Sequence, residues 1–562
     1  MKMKAASGHK LKYGGLSIAL TALIIAAVII VNVIFSALAQ KFLWYVDLTP
    51  ELLFTLSDEA CGIIENGDEK VPDSLSPIEM VDKIRAEKLA QDPAFDASSL
   101  KINLIFCQEP DKLESNTSQR YVYYTARELE QKFPDHIKVE CFNVVHNPSL
   151  VSRFKENSLS TIAPESVIIE FGTEFRIRTL KSFYTFSDAQ SEEPWAYNGE
   201  KAFVSSILAV TRAESPIACF TTNHHETFAD TSLYNTLVDA GYIVQGVDLT
   251  MQEIPDKCRL LVIFDPKRDF AVAEKGISDI DEIEKLDAFL DGTNSLMVFM
   301  DPETGRLDKL ESYLEEWGIS FDRHTDAAGN EISHHVMDKT QALTADGYTF
   351  RAEYETEGVG AQFTESLRAR VSTPSVIFKN AMSLSISEQF APSHYTPEDG
   401  GEGYDYGDYA KNGVYRKVYD IFRTSEGAQA FAGDPSLPVD VASSSNPISL
   451  MKVSVEQRIT QESNYSTIDE ASYVIACGST QFASKAVLDS TSYGNTDFLL
   501  SAMRTVGSEP VPVGLLPNPF SDRDIDDVTT TEATRYTVVL ALVPLFATAA
   551  LGVVILVRRK NR

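Results

Sequence analysis

Hydrophobic residues follow three rhythms along this 562-residue chain. Near each end they run almost unbroken. "LSIALTALIIAAVIIVNVIFSALA" (16–39) and "TVVLALVPLFATAALGVVILV" (537–557) contain no charged residue. A bilayer core needs about 20 such residues in a helix. The runs predict one transmembrane helix over 13–40 and a second over 536–557. Ala37-Leu38-Ala39 resembles a signal cleavage site, but the run exceeds the about 7–15 residues usual for a signal peptide. An uncleaved anchor is therefore expected.

Between the runs, short apolar segments alternate with stretches of helical period. "LKINLIFC" (100–107) and "IKVECFNVV" (137–145) read as strands. Between them "SQRYVYYTARELEQKF" (118–133) reads as an amphipathic helix, with Tyr121, Tyr124, Leu129 and Phe133 near one face. "SVIIEFGTEFRIRTL" (166–180) reads as a hairpin turning at Gly172-Thr173, and "EKAFVSSILAVTR" (200–212) as a closing helix. Strand, helix, strand, hairpin and helix make the order of a thioredoxin-like unit over 100–213.

A second α/β unit is expected over 214–530. Strands "PIACFTT", "IVQGVDL", "RLLVIFDP" and "SLMVFMDP" alternate with helices such as "DIDEIEKLDAFLDG", which places Ile280, Ile283, Leu286 and Leu290 on one stripe. Such alternation predicts a parallel sheet covered on both faces. Its strand ends would gather His224, His225, Glu226, Asp265 and Asp301 at one edge, where such folds bind ligands. These five are weak ligand-binding candidates.

From 329 to 439 the pattern weakens and reads as a long insertion. "HYTPEDGGEGYDYGDYAKNGVYRKVYD" (394–420) has the composition of a surface loop, in which Tyr404, Tyr406 and Tyr409 alternate with Asp405 and Asp408. Strand character returns at "ISLMKVSVEQ" and "ASYVIACGS", and "YGNTDFLLSAMRTVG" reads as a terminal helix.

Charge adds a topology. Bases flank both apolar runs, Lys2, Lys4, Lys10 and Lys12 before the first and Arg558, Arg559, Lys560 and Arg562 after the second. The positive-inside rule then predicts cytoplasmic ends (1–12 and 558–562) and an extracytoplasmic bulk, a two-span protein of the cytoplasmic (inner) membrane. The whole chain is acidic, 81 Asp+Glu against 50 Lys+Arg, which excludes nucleic acid as an expected partner. Between span and first unit lies a collar and linker over 41–99. Trp44 and Tyr45 suit a membrane interface, Thr49-Pro50-Glu51 reads as one helix start and Ser57-Asp58-Glu59 as another.

Catalytic chemistry is thin. The six cysteines show no C-x-x-C and no metal-ligand spacing, and read mainly as buried apolar residues, with a Cys107–Cys141 disulfide left open. His224-His225-Glu226 lacks H-E-x-x-H spacing, as does His334-His335. G-x-S-x-G and G-x-x-x-x-G-K-[ST] are both absent. The acidic helix near Asp281 reads as a solvated face. No catalytic residue, metal or cofactor is expected; His224 and His225 are weighed mainly as structural or capping residues, then as ligand contacts.

Several segments in order resemble the GldG-like family, an auxiliary component of ABC-type transport systems associated with gliding motility. "VDLTPELLFTLSDEA" (46–60) resembles its D-L-T…[YF]-T-L-S signature, carried here by Asp47, Leu48, Thr49, Thr55, Leu56 and Ser57. "IACFTTNHHET" is similar to its F-L-T-G-H-G-E, with both glycines replaced. "YIVQGVDLTMQEIPDKCRLLVIFDP", "IEKLDAFLDGTNSLMVFMDP" and "YVIACGSTQFASKAVLDSTSYGNTDFLLSAM" resemble later stretches, the last with Ser479-Thr480-Gln481-Phe482 where an acid before Phe is usual.

The resemblance implies a class I glutamine amidotransferase-like (flavodoxin-like) middle domain without a catalytic cysteine. It also implies a non-catalytic accessory subunit working with a separate ATPase and a permease, its large domain binding substrate or docking an envelope polysaccharide or protein. A stand-alone polysaccharide-binding or sensing protein is the alternative, and a hydrolase on an amidotransferase-like fold comes third.

Overall fold

The structure, a computed structural model, describes residues 23, 25–35, 47, 557–558 and most of 52–520. Within 52–520 the described stretches are interrupted at 69–70, 72–73, 117–118, 156–161, 187–192, 213–214, 227–231, 275–278, 326–327, 330, 371, 389–413, 433–440, 443–446, 464–465, 491 and 508–509.

The expectation of two transmembrane helices, and with it the two-span inner-membrane placement, is corrected here. No helix among the described residues is long and apolar enough to cross a membrane. The described helical residues near the start are 23 and 25–35. The rest of both apolar runs lies outside the described residues. So do Trp44, Tyr45, Leu48, Thr49 and the tyrosine-rich segment with Tyr404, Asp405, Tyr406, Asp408 and Tyr409.

Residues Met1–Pro519 form one compact unit and Phe520–Arg562 a second. The first is mixed α/β with several sheets. It begins with two helices, α1 (Asp58–Asn66) and α2 (Pro77–Gln91). Each starts where a serine demands it: Ser57 Oγ accepts from the Ala60 amide at 3.1 Å, and Ser76 with Glu79 closes a reciprocal capping box before Pro77.

A four-stranded sheet follows, β1 (Ile102–Phe106), β2 (Ile137–Cys141), β3 (Ser166–Phe171) and β4 (Glu174–Thr179), in the order β2-β1-β3-β4. β1 and β2 are parallel because helix α3 (Arg120–Lys132) crosses between them; β3 and β4 are a hairpin whose turn Gly172 makes at φ +63°. The buried face of α3 is Val122, Tyr123, Ala126 and Leu129, one position out of phase with the stripe expected from Tyr121 and Tyr124. Helix α4 (Gly199–Thr211) is buried along nearly its whole length, Lys201, Ser205, Ser206 and Thr211 included. It packs on β3 and β4 on one side and on the next helix on the other.

The larger sheet has eleven strands. Its main path comprises β5 (Ile217–Thr221), β6 (Ile243–Val247), β7 (Cys258–Phe264), β8 (Ser295–Phe299), β9 (Thr349–Tyr354), β10 (Val376–Lys379), β11 (Val414–Arg423), β12 (Ser449–Ser463) and β13 (Ser466–Cys477), ordered β10-β9-β11-β12-β13-β8-β7-β5-β6. From β6 to β13 neighbours are parallel, but from β13 through β12, β11 and β9 to β10 they are antiparallel. The expected all-parallel sheet is thus corrected to a mixed one. Much of the antiparallel half comes from 329–439, which is no mere insertion: β9, β10 and β11 lie within it.

Helices α5 (Ser232–Asp239), α6 (Glu282–Asp291), α7 (Asp308–Glu316), α8 (Gly358–Arg368) and α9 (Asn495–Gly507) complete the described frame used below. Two apolar clusters line the sheet's two faces, one around Phe363, Phe378, Phe422, Phe482 and Phe498, the other around Leu286, Leu310, Tyr313 and Trp317. Burial of this apolar surface, at about 25 cal/mol per Å2, is what holds the layers together. All six cysteines are free, so Cys107 and Cys141 are not bridged; burial pushes their thiols up to about 11 and about 12.

Candidate functional site

The parallel strands β5, β7 and β8 end at one edge, and sequence order reverses across β5, which has β6 on one side and β7 on the other. Crevices at such reversals are where open α/β sheets bind ligands. Asn223–Glu226 leave β5 there, Asp265 follows β7, and Asp301 stands two residues past β8.

His224 is the centre of this edge and is 1% exposed. Its Nδ1 lies 3.1 Å from Glu226 Oε1 and its Nε2 3.2 Å from Glu282 Oε2; its ring stacks on Phe270 at 3.9 Å and 8°. Both carboxylates are as enclosed as the imidazole, their side chains 2% and 1% exposed. Two backbone amides complete the cage, His224 N–H donating to Glu226 Oε2 and Ala271 N–H to Glu282 Oε2, each at 2.8 Å. Glu282 also opens helix α6, so the positive end of that helix faces its charge.

The electrostatics follow. Burial opposes charging His224, but bonds and charges from Glu226 and Glu282 outweigh it and push the imidazole up to about 9. Burial likewise acts to raise Glu226, and the bond from His224 with nearby amides reverses this, holding it below the usual carboxylate range. Both ring nitrogens then donate, which requires the imidazolium.

The backbone is held as tightly. The His224 carbonyl accepts from the Lys267 and Arg268 amides at 2.8 and 3.0 Å, so the loop after β5 is stitched to the loop after β7. Lys267 Nζ pairs with Asp265 Oδ1 at 2.6 Å and donates to Thr304 Oγ1 at 2.7 Å. Asp301 accepts from Thr480 Oγ1 at 2.9 Å and from the Glu303 amide at 2.9 Å. Three non-glycine residues here have left-handed backbones: Asn223 at φ +80°, His225 at +59° and Asp265 at +52°. Each costs of order 1 kcal/mol for a residue with a Cβ, least for Asn.

Of the five candidates, His224 and Glu226 share one cluster, while Asp265 and Asp301 sit on the adjoining strand ends, linked to it through Lys267 and Thr304. His225 is exposed and makes no side-chain hydrogen bond or ion pair among the described residues. His334 and His335 lie elsewhere, on the strand Glu331–Met337. Glu282 is the residue that sequence reasoning missed: assigned to a solvated acidic face, it is 1% exposed. Asp281, its neighbour and the helix cap, gave the only local hint, since a residue just inside a helix start can turn toward the preceding strand edge. Among the described residues, no group of three or more His, Cys, Asp or Glu side chains is placed to hold a metal ion.

No family model and no curated protein matches this chain. The segment that resembles the GldG-like signature is held by local contacts. Asp47 Oδ2 accepts from the Phe54 and Thr55 amides at 2.9 and 3.2 Å and from Thr55 Oγ1 at 3.3 Å. Leu53 and Leu56 are buried, Phe54 meets the Tyr124 ring at 5.3 Å, and Ser57 N–H donates to Glu200 of α4. The collar from 52 onward is a joint on the first sheet's helices.

Proposed function

We propose that the chain is a non-catalytic auxiliary component of an ABC-type transport system, a binding or docking scaffold beside a separate ATPase and a permease. The observation that carries this is the state of His224. A side chain at the ligand edge of an α/β sheet becomes a catalytic base by having a free nitrogen near neutral pH. His224 has both nitrogens engaged, its proton held to about pH 9, and no open face.

The backbone supports the same reading. Asn223 and His225 occupy the two places where the resembled family has glycine, and both keep the left-handed conformation that glycine favours. A loop that holds this conformation with Asn and His in place of glycine suits a structural element.

Affinity purification of the tagged full chain from mildly solubilised cells tests the proposal. An ATPase and a multi-span protein should be recovered in near-stoichiometric amounts; a homogeneous chain with neither partner refutes it. A stand-alone ligand-binding protein is the second reading, favoured by a separate observation, a charged cleft between α4 and α5.

A further inference from the structure

A cleft of about 660 Å3 opens between the end of β4, the start of α4, helix α5 and the turn leading into α9. That volume lies within the range of small-molecule sites, about 300–1,000 Å3. Its charge runs against the rest of the molecule. The chain carries a formal −31, yet Arg178, Lys181, Lys201 and Lys485 all line this cleft.

The acids on its walls do not use up that charge. Asp489 pairs with Lys485, and Asp497 with Arg370 at 2.8 Å. Asp239 alone serves two cations: Arg178 donates to its Oδ1 at 3.0 Å, and Lys201 Nζ stands 3.7 Å from its Oδ2. Arg178 is otherwise satisfied by Ser205 and Ser206. Lys201 is not.

The Lys201 side chain is 7% exposed, and its ammonium makes no hydrogen bond among the described residues, since 3.7 Å is beyond hydrogen-bond reach. The ammonium is thus ion-paired with Asp239 but not hydrogen-bonded to it, and its donors are left for whatever enters the cleft. Lys181 adds a second, exposed cation at the rim, lying 4.6 Å over the Phe186 ring. The rest of the wall is rich in hydroxyls and amides, with Tyr184 and Tyr493 among them.

We propose that this cleft binds a carboxylated, hydroxyl-rich ligand, an acidic sugar unit, with its carboxylate seated against Lys201. The ammonium supplies the anion contact, Lys181 the second charge, and the hydroxyl and tyrosine walls suit a polyol ring. A neutral sugar would leave the Lys201 donors unmet, and an apolar ligand would strand the hydroxyls as well. The proposal rests on the ligand-binding reading above and not on the transport one.

Calorimetric titration of the full chain with D-glucuronate, D-galacturonate, a galacturonate trisaccharide and the matching neutral galactose compounds tests it. Acidic compounds should bind at least tenfold tighter than neutral ones. Lys201→Met should fold, because it removes a buried charge, and should lose at least tenfold in affinity; Lys181→Ser, at an exposed position, should lose severalfold without a change in melting temperature. A trisaccharide that binds tighter than the monosaccharides marks a polysaccharide end as the source, and equal binding marks the free sugar acid. Equal binding of neutral compounds, wild-type affinity in folded Lys201→Met, or binding of no acidic sugar would each overturn the proposal. Uronate binding without a co-purifying ATPase leaves the cleft standing and refutes the transport reading.

Discussion

The His224 imidazole carries its proton at neutral pH because two enclosed carboxylates demand it, and stability must then depend on pH in a defined sense. Its folded value, about 9, lies above the unfolded 6.5. The stabilisation is fully present below about pH 6.5 and is lost as pH rises through 9, amounting to roughly 3 kcal/mol at one pH unit per 1.36 kcal/mol. Urea midpoints at pH 6.5, 8 and 9.5 should fall in that order for the wild type, and His224→Gln should be less stable at pH 6.5 with a much flatter profile. At the next residue the backbone sets the outcome. His225 is exposed at φ +59°, so His225→Gly should change stability by less than about 1 kcal/mol, whereas His225→Val should cost about 1–2 kcal/mol; a large loss in His225→Gly would show that its side chain is doing something unseen. Sequence order alone placed His224, Asp265 and Asp301 near one edge, since each follows a strand. It gave no access to Glu282 or Phe270, which arrive through the tertiary path of the chain after β7.

Elements were legible where their signal is local. The β3–β4 hairpin shows its alternation and its Gly172 turn within fifteen residues, and α6 shows its stripe at Leu286 and Leu290. The antiparallel half of the large sheet was not, because its strands are short or polar. β9, TFRAEY, buries only Phe350 and Ala352 while Arg351 and Glu353 point outward. The apolar part of β12 and β13 was visible, but the strands run on to Ser463 and from Ser466 through polar sequence, extended by mutual pairing and not by hydrophobic pattern. One contact makes the α8–β11 junction testable. A Cβ on Gly360 would come within 1.8 Å of the Asp420 carbonyl oxygen, a backbone atom that cannot swing aside. Gly360→Ala should therefore cost about 3 kcal/mol, read as a lowered urea midpoint with little change in slope.

On the scale of the whole molecule, α4 belongs to both sheets. It is buried along nearly its full length, against β3 and β4 on one side and α5 on the other, and Arg178 of β4 reaches across to Asp239 of α5. Residues Met1–Pro519 should accordingly unfold together. A variant retaining only Trp195 reports the strand Pro194–Tyr197 just before α4, and one retaining only Trp317 reports the second cluster; their thermal midpoints should coincide, and separate transitions would show two independently stable parts.

One of the ties within that unit joins residues made far apart in time. Arg504 of α9 donates to Asp68, just after α1, at 3.2 Å, across 436 positions of sequence. At the usual 5–20 residues per second, roughly 20–90 s separate the synthesis of the two partners. Throughout that interval the carboxylate emerges without its guanidinium, although α1 and α2 already have each other and α4 to pack on. The order of manufacture thus leaves this one tie among the last to close, and a newborn chain stalled before residue 504 should hold α1 and α2 on α4 without it.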